Sequence, residues 1–273
     1  MFRPQIKRTT THAAASLATV IYHATVRNVR KSHGNALIGL MMNMMQTVIF
    51  VLAFYVMYSV LGLRRNAVRG DFLLYIMSGI FLFMTHTKAL SAVVGSEGPA
   101  SPMMKHAPMN TFVAITSAAL GSLYTQFLSV LVVLFIYHVG FTKVEIFDPL
   151  GAIAMFLLAW FSGVSIGMVF LAIKPWFPGF VGIASTVYAR ANMIASGKMF
   201  LANMLPASKI ALFSWNPLFH CIDQARGFTF INYNPHYSSY EYTIKLSIVL
   251  IMVGLMGEFY TRKNASLSWQ ARK

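Results

Sequence analysis

The chain has 273 residues, 57% of them hydrophobic and only 11% charged, with a mean hydropathy of +0.61. A soluble domain carries about 25% charged residues, so the composition describes an integral membrane protein. Lys and Arg number 22 against 7 acidic residues, but they stand at the ends of apolar runs rather than on one soluble face. This argues against nucleic acid as a partner and for membrane orientation and anionic headgroups. A single cysteine, Cys221, excludes an intrachain disulfide and a Cys-based metal site.

Residues 1–35 hold Arg3, Lys7, Arg8, Arg27, Arg30 and Lys31 and no acid. Between them Leu17, Val20, Ile21 and Ala24 recur on one helical face, the pattern of a basic amphipathic helix lying in the headgroup plane. A signal peptide is the competing reading. His12 and His23 interrupt the apolar run, and no clear small-residue cleavage site follows. The first span is expected over 36–61, with Gly39, Asn43, Gln46 and Thr47 as a polar stripe turned towards other helices. The second is expected over 72–94, with Lys88 near its exit, within snorkelling reach of the interface.

The 97–109 loop contains Ser101-Pro102-Met103-Met104-Lys105-His106. Ser at an N-cap with Pro at the first helical position starts a helix, and Pro108 stops it after about two turns. Composition leaves two readings, a plain connector or a docking knob. The third span is expected over 111–138, with Ser122, Thr125 and Ser129 as a small polar stripe beside Gln126. The fourth, over 150–173, sets Gly163 and Gly167 four apart on a close-packing face.

From Phe180 the apolar pattern begins again and then fails. Arg190, Lys198 and Lys209 interrupt it at intervals too short for a crossing, since a span needs about 20 mostly apolar residues. A cation at mid-helix costs about 2.5–3.5 kcal/mol on insertion scales. The pattern predicts a helix that stops part-way and a hairpin that re-enters over 190–241, sheltered in protein or lining a watery cavity. Residues 218–241 read as polar and aromatic, too polar to cross. The last span is expected over 242–260, with 261–273 as a cytosolic tail. The fold class is therefore all-α: six transmembrane helices, an N-terminal interfacial helix and a re-entrant hairpin, in one domain spanning 36–260. With both termini in the cytosol, the inner segments hold twelve of the 22 cations and the outer ones six, which favours that orientation.

The chemistry is sparse. No G-x-x-x-x-G-K-[ST] motif occurs, so the chain has no Walker cradle for ATP. The histidines are scattered and the acids isolated. Trp160-Phe161-Ser162-Gly163 lacks the glycine that a rhomboid-like serine motif needs, so an intramembrane enzyme is a remote alternative.

Four landmarks carry a family resemblance. They are the basic amphipathic N-terminus, Gly70-Asp71-Phe72-Leu73-Leu74-Tyr75-Ile76-Met77-Ser78-Gly79 at the entry to the second span, and Ser196-Gly197 with Met199-Phe200 and Leu205-Pro206. The fourth is Trp215-Asn216-Pro217-Leu218-Phe219-His220 with Arg226 and Tyr233-Asn234-Pro235-His236-Tyr237. In this order they resemble the permease subunit of type-2 ABC exporters, especially those for capsular polysaccharide or O-antigen, and the likeness covers nearly the whole chain. Lys198 departs from the apolar residue expected there.

The resemblance implies a non-enzymatic transport subunit of a bacterial inner membrane. Two ATPase subunits would bind ATP and magnesium, a second copy of the chain would complete a conduit, and this chain would hold no cofactor of its own. Residues 101–106 become the helix that docks into the ATPase, with Met103 and Met104 as adaptable apolar knobs. The cargo would be a polysaccharide or lipid-linked glycan, with a periplasmic polysaccharide co-polymerase as a further partner; a lipid or small drug is the alternative cargo. Sugars call for amides, hydroxyls and rings: Asn43, Gln46 and Thr125 for the first two, Tyr55, Tyr58, Tyr124 and Trp160 for the last. Lys198, Lys209, Trp215, Asn216, His220 and Arg226 are candidates for an outer gate. Helix–helix hydrogen bonding and lipid contact are the competing roles for all of them.

Overall fold

A computed structural model describes residues 10–31, 36–60, 62, 71–98 and 110–264. Among these the protein is wholly helical. In chain order the helices are α1 (Thr10–Lys31), α2 (Ala36–Val60), α3 (Phe72–Val94), α4 (Thr111–Gly140), α5 (Pro149–Ile173), α6 (Pro178–Ala195), the single-turn α7 (Ala207–Ile210), α8 (Pro217–Thr229) and α9 (Tyr240–Asn264). A 3-10 turn at Ala202–Met204 lies between α6 and α7. Five helices, α2, α3, α4, α5 and α9, are long and apolar enough to cross a membrane. The sequence predicts six spans. The difference is α6, which has 18 residues and carries Arg190 and Asn192 near its end.

Local chemistry sets the helix starts. Asp71 caps α3 by accepting from the Leu73 N–H at 2.9 Å, and Asn110 caps α4 through the Phe112 N–H at 3.0 Å. Asp148 accepts from the N–H groups of Leu150 and Gly151, both at 3.1 Å, with Pro149 at the first helical position of α5. Each cap satisfies orphan donors that lipid could not.

Helix α3 is the centre of the molecule: nearly every residue from Leu74 to His86 is buried. It packs on α5 at very close range. A Cβ on Gly163 would fall 2.3 Å from the His86 carbonyl oxygen, and one on Gly167 would fall 2.9 Å from Val93 Cβ. The small-residue face read from the sequence is thus the α3–α5 contact, where dispersion between backbones replaces a hydrophobic drive that lipid does not supply.

Within residues 218–241, read from the sequence as too polar to cross, α8 is a 13-residue helix whose Leu218, Cys221 and Ile222 are fully buried in the main core, with Phe219 buried beside them. At about 1.5 Å per residue it is only about 20 Å long, too short to cross. Helix α1 does not stand apart from the bundle. It lies against α4, where Asn28 Nδ2 donates to Ser117 Oγ at 2.9 Å and Gly121 lets Val29 approach.

Candidate conduit and gate

The predicted site residues separate into two places. The first is a groove of about 1140 Å³ walled by α1, α2, the end of α3 and α4. Asn43, Gln46, Tyr124 and Thr125 all line it. Asn43 and Gln46 point at protein partners. Asn43 Nδ2 donates to Ser129 Oγ at 2.8 Å and its Oδ1 accepts from Gln126 Nε2 at 2.9 Å, tying α2 to α4. Gln46 Oε1 accepts from Lys88 Nζ at 2.6 Å. Lys88 thus bends across to α2. Thr125 Oγ1 donates to the Gly121 carbonyl of its own helix at 2.8 Å. The polar stripe is mostly helix–helix hydrogen bonding, and the exposed wall of the groove is mainly apolar.

The second place is the turn that ends α6. Gly197 adopts φ +73°, a left-handed conformation that costs glycine little. A Cβ there would also fall 2.8 Å from the Phe219 ring. The turn leaves backbone carbonyls beyond the end of α6 inside protein, and Arg226 of α8 satisfies three of them. Its Nη1 donates to the Gly197 and Phe200 carbonyls at 2.9 and 2.6 Å, and its Nη2 to Lys198 at 2.7 Å. The guanidinium lies 4.3 Å from the Tyr75 ring centroid and the side chain is 1% exposed. Tyr58 donates its hydroxyl to the Met199 carbonyl.

Lys198 projects from this turn into a cage of Phe50, Phe54 and Phe83, its Nζ 5.2, 4.7 and 3.6 Å from their centroids. Lys198 is 3% exposed, and among the described residues its ammonium has no hydrogen-bond partner. Cation–π attraction from the three rings, about 2 kcal/mol when desolvated, is the polar stabilisation this cage offers. Asn216 caps α8 through the Leu218 N–H at 3.0 Å, and its Nδ2 donates to Asn192 Oδ1 and the Ala195 carbonyl at 2.7 and 3.0 Å. His220 is fixed as one tautomer: Nε2 donates to the Ser214 carbonyl at 2.7 Å, and Nδ1 accepts from the Ser239 N–H at 3.0 Å. Burial holds this imidazole below its ordinary pKa, against the upward pull of the Ser214 carbonyl and Asp223.

Sequence reasoning missed the buried carboxylate that closes this region. Asp223 accepts from the Tyr233 hydroxyl and from Ser238 Oγ at 2.7 Å, fastening the 230–239 loop to α8. Its signal was an acid six residues beyond Pro217 of an Asn-Pro helix start.

The remaining candidates lie apart. Trp160 donates Nε1 to the Ala119 carbonyl at 2.9 Å, joining α5 to α4, and Tyr55 packs against the main core. Trp215 is exposed at 59% with Nε1 on the Leu212 carbonyl at 2.6 Å, and Lys209 is exposed at the end of α7. Ser101, Pro102, Met103, Met104, Lys105 and His106 lie outside the described residues. Ser162 does have a histidine beside it, His86 Nδ1 at 2.9 Å, with Tyr188 on the far ring nitrogen at 3.0 Å. Both Ser162 and His86 are fully buried, so the pair joins α3, α5 and α6 rather than facing a substrate.

A second, smaller hollow of about 610 Å³ runs between α3 and α6, with Thr87, Ser91, Ser185, Thr186 and Arg190 along it. Hydroxyls and two cations, Lys174 and Arg190, form its polar side. No protein-family model and no curated protein matches this chain.

Proposed function

We propose that the chain is the transmembrane subunit of an ATP-driven ABC exporter that moves a polysaccharide, capsular or O-antigen, across the inner membrane. It works as two copies with two ATPase subunits. The observation that carries the reading is the broken backbone after α6. Broken backbone at membrane depth survives only where protein shelters it or a watery path runs, and the Gly197 turn is such a break, held by Arg226 and Tyr58. In this reading α6 is the sixth crossing. At about 1.5 Å per residue it covers about 27 Å, just short of a bilayer core of about 30 Å. Residues 196–239 return on the outer side, and both termini are cytosolic. The hollow of α3 and α6 faces the glycan, with apolar walls for the sugar C–H faces and the hydroxyl oxygens of Thr87, Ser91, Ser185 and Thr186 as acceptors for its hydroxyls. A second copy closes the path.

The test is co-purification with the ATPase encoded beside the chain. Met103→Asp with Met104→Asp is expected to abolish association and substrate-stimulated ATP hydrolysis while leaving the chain folded. Unchanged association and coupling would refute the docking role. Turnover of a substrate by the purified chain without ATP or a partner would instead favour an intramembrane enzyme.

A further inference from the structure

The groove between α1, α2, α3 and α4 has a chemistry different from that of a sugar path. Its amides are already bonded to protein: Asn43 to Gln126 and Ser129, and Gln46 to Lys88. What remains on its exposed wall is apolar, with Leu37, Met42, Met45 and Ile49 of α2 all well exposed. Two cations stand in this lining. Lys88 is half-buried and gives one N–H to Gln46, leaving two of its three donors unassigned. Arg27 is exposed at the edge, and it also lines the adjoining hollow with His23 and Arg30. The acid in the lining is Glu97.

Apolar walls beneath cationic groups match a molecule with a hydrocarbon tail and a phosphate head. The volume, about 1140 Å³, exceeds the roughly 300–1,000 Å³ of a drug-sized pocket, so a tail and a headgroup both fit. The position agrees as well. The wall includes α1, the basic amphipathic helix whose residues belong at headgroup level. A half-buried lysine beside apolar walls is costly in hydrocarbon alone, and a phosphate beside it supplies a counter-charge.

We propose that this groove is a binding site for one anionic phospholipid of the membrane. The phosphate meets Arg27 and Lys88, and an acyl chain lies along the α2 wall between α1 and α4. The proposal does not rest on the export reading: an exporter and any other membrane protein of this fold could hold such a lipid.

The experiment is native mass spectrometry of the purified full chain in neutral detergent. The protein is incubated with phosphatidylglycerol, phosphatidylcholine or inorganic phosphate, as the parent and as Lys88→Gln, Arg27→Gln, the double variant and Ala118→Trp. Ala118 lines the groove. The expected result is one phosphatidylglycerol per chain, bound about tenfold more tightly than phosphatidylcholine. The double variant is expected to bring the two lipids to parity, and Ala118→Trp to displace both. Inorganic phosphate is expected not to compete, because it gains nothing from the apolar wall. Equal retention of both lipids by the parent would overturn the proposal. So would a headgroup preference untouched by the double variant, lipid binding unchanged by Ala118→Trp, or full displacement by inorganic phosphate. If Lys88→Gln fails to fold, Arg27→Gln on the exposed edge carries the headgroup arm alone, with at least a threefold loss of preference expected.

Discussion

Replacing Arg226 tests how the turn after α6 is held. In the parent, three buried carbonyls, those of Gly197, Lys198 and Phe200, accept from one guanidinium. Hydrogen bonds to a charged group are worth about 1.5–3 kcal/mol each, and the Tyr75 stacking adds about 0.5–2 kcal/mol. Against this stands the cost of burying the guanidinium, several kcal/mol, which the variant no longer bears. Three carbonyls left without a donor cost about 1–3 kcal/mol each, and the relieved desolvation offsets part of that, leaving a loss of about 3–5 kcal/mol. Arg226→Gln is therefore expected to lower the unfolding temperature by roughly 10 °C, at about 2–4 °C per kcal/mol for a large domain. Arg226→Lys keeps the charge but not the fork, so it recovers only part of the loss. The chain carries its own reporter: Cys221, its single cysteine, is fully buried on α8, and a fluorogenic maleimide labels it only on unfolding. The reasoning fails if Arg226→Gln unfolds within about 2 °C of the parent. It fails equally if Arg226→Lys is indistinguishable from the parent, which would make charge alone sufficient.

The same assay reads three further outcomes. Lys198→Met removes an ammonium that, among the described residues, meets rings and no hydrogen-bond partner, so it is expected to leave stability unchanged or raise it by about 1 kcal/mol; a loss matching that of Arg226→Gln would show the lysine to be a structural anchor. Gly163→Ala drives a methyl towards the His86 carbonyl at 2.3 Å and should cost about 1–3 kcal/mol, whereas Gly182→Ala, with nothing within 4 Å, should be neutral; similar effects of the two would contradict the close α3–α5 contact. His220 has a folded pKa below its unfolded value, so its contribution is complete above about pH 6.5 and is lost as pH falls towards the folded value. Acidification from pH 7.5 to 5.5 is expected to lower the unfolding temperature of the parent more than that of His220→Asn, and equal shifts would remove the linkage.

Hydropathy made the spans legible because lipid rewards the same property along the whole helix. The starts of α3 and α5 were equally readable, since Asp71 and Asp148-Pro149 cap in local sequence. Helix α8 was not legible. His220, Asp223 and Arg226 raise its polarity, yet each is buried against a partner distant in sequence: Ser239, Tyr233 and the Gly197 turn. A buried polar group that finds its partner through the fold looks, in sequence, like a surface group. The same holds for Asn43 and Gln46. Their amides read equally well as conduit or as helix–helix bonding, and only the positions of Gln126 and Lys88 identify their partners. Lys198 reads in sequence as a cation interrupting an apolar run, but no sequence rule places three phenylalanines from α2 and α3 around it.

The proposed topology has the chain turn back after α6 and stay on the outer side until α9, with both ends in the cytosol. The most direct measurement is labelling of a Cys221→Ala, Lys273→Cys chain in intact cells with a membrane-impermeant maleimide. The account predicts that the cysteine is protected until the cells are permeabilised. Full labelling from outside would mean one crossing more or one fewer, and would contradict it.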